Sequence, residues 1–292
     1  MRIFSTLRRR ACPLLRAVGL AFLFVVTARA QSGPADQPAP AASFVPKAGV
    51  FPDETITVGP EVREYRLVVP ATVDLTKPAP LVFAFHGMGD DNKDHMPVTT
   101  GLNDLAAEHR FILVYPASGP IVTERGTIHG WALTPDRAAA DLAFFDALRA
   151  RLESRYRIDP AAVYVTGMSN GAYFAHLVAR ENQDVVAAVA AHSGELGELD
   201  LYKLTEGRKF PVLMIHGDAD PIFPVDGARH DAALYQATGH EVKLIIVPGL
   251  AHAWGPPDAY NEQIWNFFQS HRLAPAAAAN AATPAPTPAA TN

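Results

Sequence analysis

VYVTGMSNGAYFAH, residues 163–176, changes character in its middle. Val163 to Met168 is a largely apolar run rich in β-branched and aromatic residues, the composition of a strand, and from Gly171 the apolar residues continue at helical spacing. At the junction stands Gly-Met-Ser-Asn-Gly, with a glycine two residues to either side of Ser169. Two readings of this serine compete. As a helix N-cap, its hydroxyl satisfies an orphan backbone donor of the helix that begins here. As a nucleophile on a strained turn, it needs small residues on both sides so that the helix can lie close against the strand. The pentapeptide leaves both open, and the test lies elsewhere in the chain.

Working outward, apolar runs alternate with amphipathic ones. Residues 65–70, 81–86, 111–116, 163–168, 186–193, 212–217 and 242–249 have strand composition and are mostly apolar on both faces. Between them, 101–110, 140–157, 171–182, 227–240 and 261–272 carry helical periodicity. Strands buried on both faces and separated by helices predict an α/β fold: one mainly parallel sheet with helices on both faces, in a single domain. Ligands of such sheets collect at the carboxyl ends of the strands.

The ends of the chain differ from this block. Five arginines precede the apolar run AVGLAFLFVV, and Ala-Arg-Ala at 28–30 has the small-x-small form of a cleavage site. Residues 1–30 therefore read as a signal peptide of the general secretory type, with a mature chain beginning near Gln31 and a secreted, periplasmic or extracellular, destination. The apolar span is too short to remain as a membrane anchor. Residues 31–46 and 274–292 are rich in proline, alanine and small polar residues and read as a flexible leader and a disordered tail, which leaves 47–273 as the folded domain. The formal charge of −5 becomes −11 once the six arginines of residues 1–30 are set aside, and so acidic a protein is a poor partner for nucleic acid or anionic membrane. Cys12, the single cysteine, leaves with the signal peptide, so neither a disulfide nor thiol chemistry is available to the exported chain.

A serine hydroxyl is a weak nucleophile at neutral pH and needs a base, and the base needs an orienting carboxylate. The sequence supplies both after later strands. His-Gly-Asp-Ala-Asp-Pro-Ile-Phe-Pro (216–224) places Asp220 in one strand-end loop, and Gly-Leu-Ala-His-Ala-Trp (249–254) places His252 in the next. The order Ser169, Asp220, His252 is the order this architecture imposes. Asp218 competes for the acid role. Asp220 is preferred because the following Pro-Ile-Phe-Pro fixes its loop, whereas Asp218 sits on the turn and is suited to bonding its own backbone. For a tetrahedral intermediate, the oxyanion donors expected are the N–H of Asn170, at the positive end of a helix, and that of Met88 in His-Gly-Met-Gly. Trp131 and Trp254 are candidates for an apolar substrate pocket, with core packing as the competing reading. Asp136 and Asp141 read as caps of the following helix. The remaining histidines lack metal-ligand spacing, so neither a metal nor another cofactor is expected.

Taken with HGMG upstream, GMSNGA, HGDADPIFP and HAW resemble the α/β-hydrolase superfamily, and within it the secreted poly(3-hydroxybutyrate) depolymerase and feruloyl esterase group. The resemblance runs from Tyr65 to His271 and implies an acyl-enzyme carboxylesterase with the triad Ser169, Asp220 and His252, without a metal. The chain departs from the group in its Gly-poor GLAHAW loop, in Met88 where cysteine is common, and in its lack of disulfides. It also stops within a linker-like tail, with no substrate-binding module after it, which favours a small-molecule or oligomeric ester over insoluble polymer. Two alternatives stand beside this reading. A serine peptidase of the prolyl-oligopeptidase type shares the elbow, and a non-catalytic binding module shares the fold.

Overall fold

Among the described residues, the sheet is built from strands whose side chains are buried on both faces. The computed structural model describes residues 44–89, 92–124, 126–132, 135–196 and 204–274. In chain order the elements are β1 (Gly49–Val58), β2 (Glu61–Val69), β3 (Ala79–Phe85), α1 (His95–Thr99), α2 (Leu102–His109), β4 (Ile112–Pro116), β5 (Pro120–Thr123), β6 (Gly126–His129), α3 (Pro135–Arg155), β7 (Ile158–Met168), α4 (Asn170–Glu181), β8 (Ala188–His192), β9 (Val212–Gly217), α5 (Val225–Ala237), β10 (Val242–Val247) and α6 (Pro257–Ser270).

Eight strands form one sheet in the order β1-β2-β4-β3-β7-β8-β9-β10. Only β2 runs against its neighbours; every pair from β4 to β10 is parallel. Alternate residues of each strand feed two cores. On one face Leu81, Phe83, Phe85, Val163 and Val165 pack with Phe144, Leu148 and Leu152 of α3, Phe174 and Val178 of α4, and Tyr235 of α5. On the other, Val82, Ala84, Tyr164 and Ala190 pack with Leu102 and Leu105 of α2 and Ile264, Trp265 and Phe268 of α6. This two-sided burial is the reason the central strands read as continuous apolar runs instead of alternating ones. The architecture is that of an α/β-hydrolase.

Three strands have no counterpart among the predicted ones. β1 is an edge strand with Pro52 and Asp53 in its middle and a register shift between Phe51 and Glu54, so its alternation is interrupted where a pattern would be sought. β5 and β6 are four residues each and pair only with one another. Asp141 is a correction: α3 begins at Pro135, so Asp141 lies inside the helix, where it accepts from Arg63 at 2.7 Å and from the Ala132 N–H at 3.2 Å. The side chain of Asp136 and the segments read as signal peptide and tail lie outside the described residues, save Ala274. Within the segment read as leader, Phe44 stands edge-on to Tyr156 at 5.6 Å, with the Arg155 guanidinium over its ring. No helix among the described residues is long and apolar enough to cross a membrane.

Two histidines are locked into this core in the neutral form. His176 of α4 and His192 at the end of β8 are buried, and burial pushes each pKa down to about 3, helped at His192 by the nearby imidazoles of His216 and His252. Below about pH 6.5 the unfolded chain binds protons at these positions that the folded chain refuses, so stability falls with decreasing pH until about pH 3. At pH 5 this amounts to about 2 kcal/mol for each histidine. The urea midpoint is therefore expected to drop between pH 7 and 5, and to drop less in His176→Leu, even though that variant starts lower by losing the 2.9 Å bond to the Tyr235 hydroxyl. An equal drop in both proteins contradicts the assignment.

Candidate active site

Ser169 joins β7 to α4 with φ 54° and ψ −122°, and its side chain makes no capping hydrogen bond. A non-glycine residue in this region is strained by about 1–3 kcal/mol, so the surrounding structure must hold it there. It does so through the backbone: Ser169 N–H donates to His192 O at 2.9 Å, and Ser169 O accepts from Ala172 and Tyr173. The flanking glycines have steric causes. A Cβ at Gly167 would lie 2.3 Å from Gly171 O, and one at Gly171 would lie 2.1 Å from Phe85 O. The helix thus crosses the ends of β7 and β3 too closely for any side chain, and the hydroxyl is left at the top of the turn.

The loops after β9 and β10 meet beside it. His252 Nδ1 is 2.7 Å from Asp220 Oδ2, while Asp220 Oδ1 accepts the N–H groups of Ile222 at 2.8 Å and Phe223 at 3.0 Å. Burial raises the Asp220 pKa, but the Phe223 amide, His252 and the Ile222 amide together outweigh it, and the carboxyl sits below its ordinary value. Asp218 takes a different role: its Oδ1 accepts from Gly249 N–H at 2.6 Å and ties the two loops together. His216 donates from Nε2 to Phe223 O at 2.8 Å, which shapes the turn that presents both amides to Asp220.

Ser169, Asn170, Met88, His252 and Trp254 all line one cavity of about 750 Å³, together with Gly87, His95, Thr99, Met168, Tyr173, Ile222, Phe223, Ala253 and Gly255. Its wall is mainly apolar. Trp254 is held with one face on the His192 imidazole, 4.9 Å between centroids, and its Nε1 donates to Asn261 Oδ1 at 3.1 Å. Met88 and Ile222 are 48% and 59% exposed, respectively, and give the mouth an apolar rim. Sequence reasoning did not single out Tyr173, Phe223 or Ile222. The last two stand in the Pro-Ile-Phe-Pro segment that was read only as a brace for the acid.

Trp131 is a correction to the sequence reading. It is 1% exposed and lies outside the cavity wall, stacked on Phe174 at 4.5 Å and 8° and edge-on to Phe85 at 5.1 Å. Its aromatic contacts are with the core because it follows directly on the β5–β6 hairpin, which turns the indole inward beneath the site. Among the described residues one group qualifies by composition for a cation, namely Glu108, His109 and Glu262, whose ligand atoms lie within 4.8 Å of one another. It is a surface cluster between α2 and α6, and His109 Nε2 already pairs with Glu262 at 2.8 Å.

Known proteins of similar sequence include esterases, and solved structures of similar fold include esterases and a putative dipeptidyl aminopeptidase IV of Bacteroides ovatus, which superposes with a TM-score of 0.62 at 16% identity over 76% of this chain and 36% of the other. The chain is 31% identical over 172 residues to feruloyl esterase C of Emericella nidulans, covering 56% of this chain and 57% of that protein. It is 30% identical over 120 residues to poly(3-hydroxyalkanoate) depolymerase C of Paucimonas lemoignei, covering 40% of this chain and 28% of that one. This chain thus spans about half the length of the curated relatives it matches. A solved ferulic acid esterase superposes with a TM-score of 0.62 at 17% identity, over 76% of this chain and 97% of the other. Residues 125–282, which carry the strained serine, the acid and the histidine, match the dienelactone hydrolase family, and the chain belongs to that family.

Proposed function

We propose that this protein is a serine carboxylic-ester hydrolase that acts through an acyl-enzyme on Ser169. The observation that carries the reading is the pairing of a strained serine with a His252–Asp220 hydrogen bond of 2.7 Å on the wall of one apolar cavity. In the first half-reaction, His252 Nε2 takes the hydroxyl proton as Ser169 Oγ attacks the ester carbonyl carbon. Asp220 holds the tautomer and balances the imidazolium. The N–H groups of Met88 and Asn170 receive the oxyanion. Collapse breaks the bond to the alkoxy oxygen, and His252 returns the proton to the departing alcohol. In the second half-reaction water, deprotonated by the same base, releases the acid and restores the serine. The chain's own residues suffice for each of these steps.

The mainly apolar wall and rim favour an acid with a sizeable apolar or aryl acyl part, in keeping with the feruloyl and hydroxyalkanoate esters named for its relatives. The sequence of residues 1–30 supports export of this activity. Each buried methylene is worth up to about 0.8 kcal/mol, so p-nitrophenyl butyrate should exceed the acetate in kcat/KM by about tenfold. A fluorophosphonate should label Ser169, and methyl ferulate or hydroxybutyrate oligomers should be cleaved while the matched peptidyl amides survive. Failure of labelling in the folded protein sinks the reading. Cleavage of the amides at rates comparable to the esters moves the protein to the peptidases.

A further inference from the structure

We propose that Trp131 is a positioning residue that fastens the two halves of the oxyanion site to each other. The proposal rests on the reading of Met88 and Asn170 as donors, and extends it to a residue outside the cavity. Those donors come from different parts of the chain, one after β3 and the other at the start of α4, and the close approach of Gly171 to Phe85 O brings the two segments together without by itself aiming either N–H.

The link runs through side chains. The Asn170 side chain grips one residue at both ends: Trp131 N–H donates to Asn170 Oδ1 at 2.6 Å, and Asn170 Nδ2 donates to Trp131 O at 3.1 Å. The Trp131 indole then reaches across to the other half, where Nε1 donates to His86 O at 3.0 Å. His86 continues the chain. Its Nε2 accepts from Ser118 N–H at 3.2 Å, which leaves the proton of the neutral ring on Nδ1, 2.7 Å from Gly87 O. In a trans peptide the Met88 N–H points opposite to the Gly87 carbonyl, so holding that oxygen fixes the direction of the donor. Past Met88, Gly89 N–H donates to His129 O at 2.8 Å and fixes the loop to β6.

Packing holds the link in place. The indole is keyed between Phe174 of the nucleophile helix and Phe85 of the strand that leads to Met88. The segment that carries it is clamped at both ends by one ion pair: Arg63 donates to Ala117 O at 3.1 Å and to Asp141, and Asp141 accepts from Ala132 N–H. Gly130 fills the point where the halves meet. A Cβ there would lie 3.0 Å from Ile121 Cδ1, 3.2 Å from Asn170 Oδ1 and 3.4 Å from Met88 Cγ. Oxyanion stabilisation depends on donors held in advance at their final positions, so a loss of this link appears as a loss of transition-state binding.

Two variants test the coupling without replacing either donor residue. Trp131→Phe keeps the aromatic stack and removes the bond to His86 O; Gly130→Ala keeps every hydrogen-bonding group and wedges a methyl between the halves. For each, kcat on a p-nitrophenyl ester should fall about 10- to 100-fold with KM within twofold, and the inhibition constant of a trifluoromethyl ketone analogue of the tetrahedral intermediate should rise by the same factor as kcat/KM falls. Binding of the product acid should stay within twofold. Asn170→Ala combined with Trp131→Phe should cost little more than the worse single change, because both cut one chain of contacts. If folded variants keep kcat within twofold of the parent, or lose kcat while the ketone binds as before, Trp131 is a core residue only and the proposal is overturned. A parent protein that neither cleaves the ester nor is labelled at Ser169 overturns instead the esterase reading on which it rests.

Discussion

Replacing Ser169 with alanine is expected to lower kcat on a p-nitrophenyl ester by about 10⁴- to 10⁶-fold while leaving the fold and the urea midpoint intact. The size follows from what remains. Without an Oγ there is no acyl-enzyme, but the oxyanion donors and the cavity still bind the ester, and such remnants retain about 10³- to 10⁴-fold over water. Stability should not suffer, since the serine side chain supplies no capping hydrogen bond. Alanine does not relieve the φ of 54°, so any gain comes from Ser169→Gly, which tolerates that backbone and should be the more stable of the two. The measurement is turnover of the purified variants beside their urea curves. Near-normal turnover in a folded Ser169→Ala variant ends the proposed mechanism.

Asp220→Asn should cost about 10⁴-fold in kcat by a different route. Oδ1 of Asp220 is held by the Ile222 and Phe223 amides, which are donors, so an asparagine keeps its oxygen there and turns its NH₂ toward His252. A donor facing Nδ1 forces the neutral imidazole to carry its proton on Nε2, the atom that must accept the serine proton. The geometry survives and the base is lost. Substrate affinity should change little, and Asp218→Asn should change turnover less than threefold because Asp218 bonds only the Gly249 amide. Comparable losses in the two variants contradict the assignment of the acid. The lowered pKa of Asp220 adds a stability effect. Its folded value lies below the unfolded one, so its contribution is full above about pH 4 and disappears as the pH falls through the folded value. In Asp220→Asn that part of the acid sensitivity should be missing.

The parallel sheet was legible because runs such as LVFAFH and VLMIHG are unbroken apolar stretches up to the histidine at their carboxyl end, a property that only strands covered on both faces need. Strand β1 was not, because an edge strand is exposed on one side and interrupted by Pro52, and β5 and β6 are too short to show any period. Within the site, Ser169, Asp220 and His252 could be nominated because the chemistry needs those three residue types and the fold needs them after particular strands. Trp131 was a candidate for an apolar pocket, with core packing as the competing reading, because whether an indole faces a cleft or the core depends on a turn made by residues that carry no pattern of their own.

By itself, then, the sequence determined the kinds of groups and the order in which they follow the strands, since apolar periodicity and glycine at closely packed turns are local properties of the chain. It also supplied the two glycines on either side of Ser169, but that a Cβ is forbidden at Gly167 and Gly171 is set by the packing of α4 on the ends of β7 and β3. Only the tertiary structure decided which aspartate reaches His252, which tryptophan borders the cavity, and that Asn170, Trp131 and His86 form one line of hydrogen bonds. Those are contacts between residues far apart in the chain, fixed by hydrogen-bond distances of about 3 Å that no spacing along the sequence encodes.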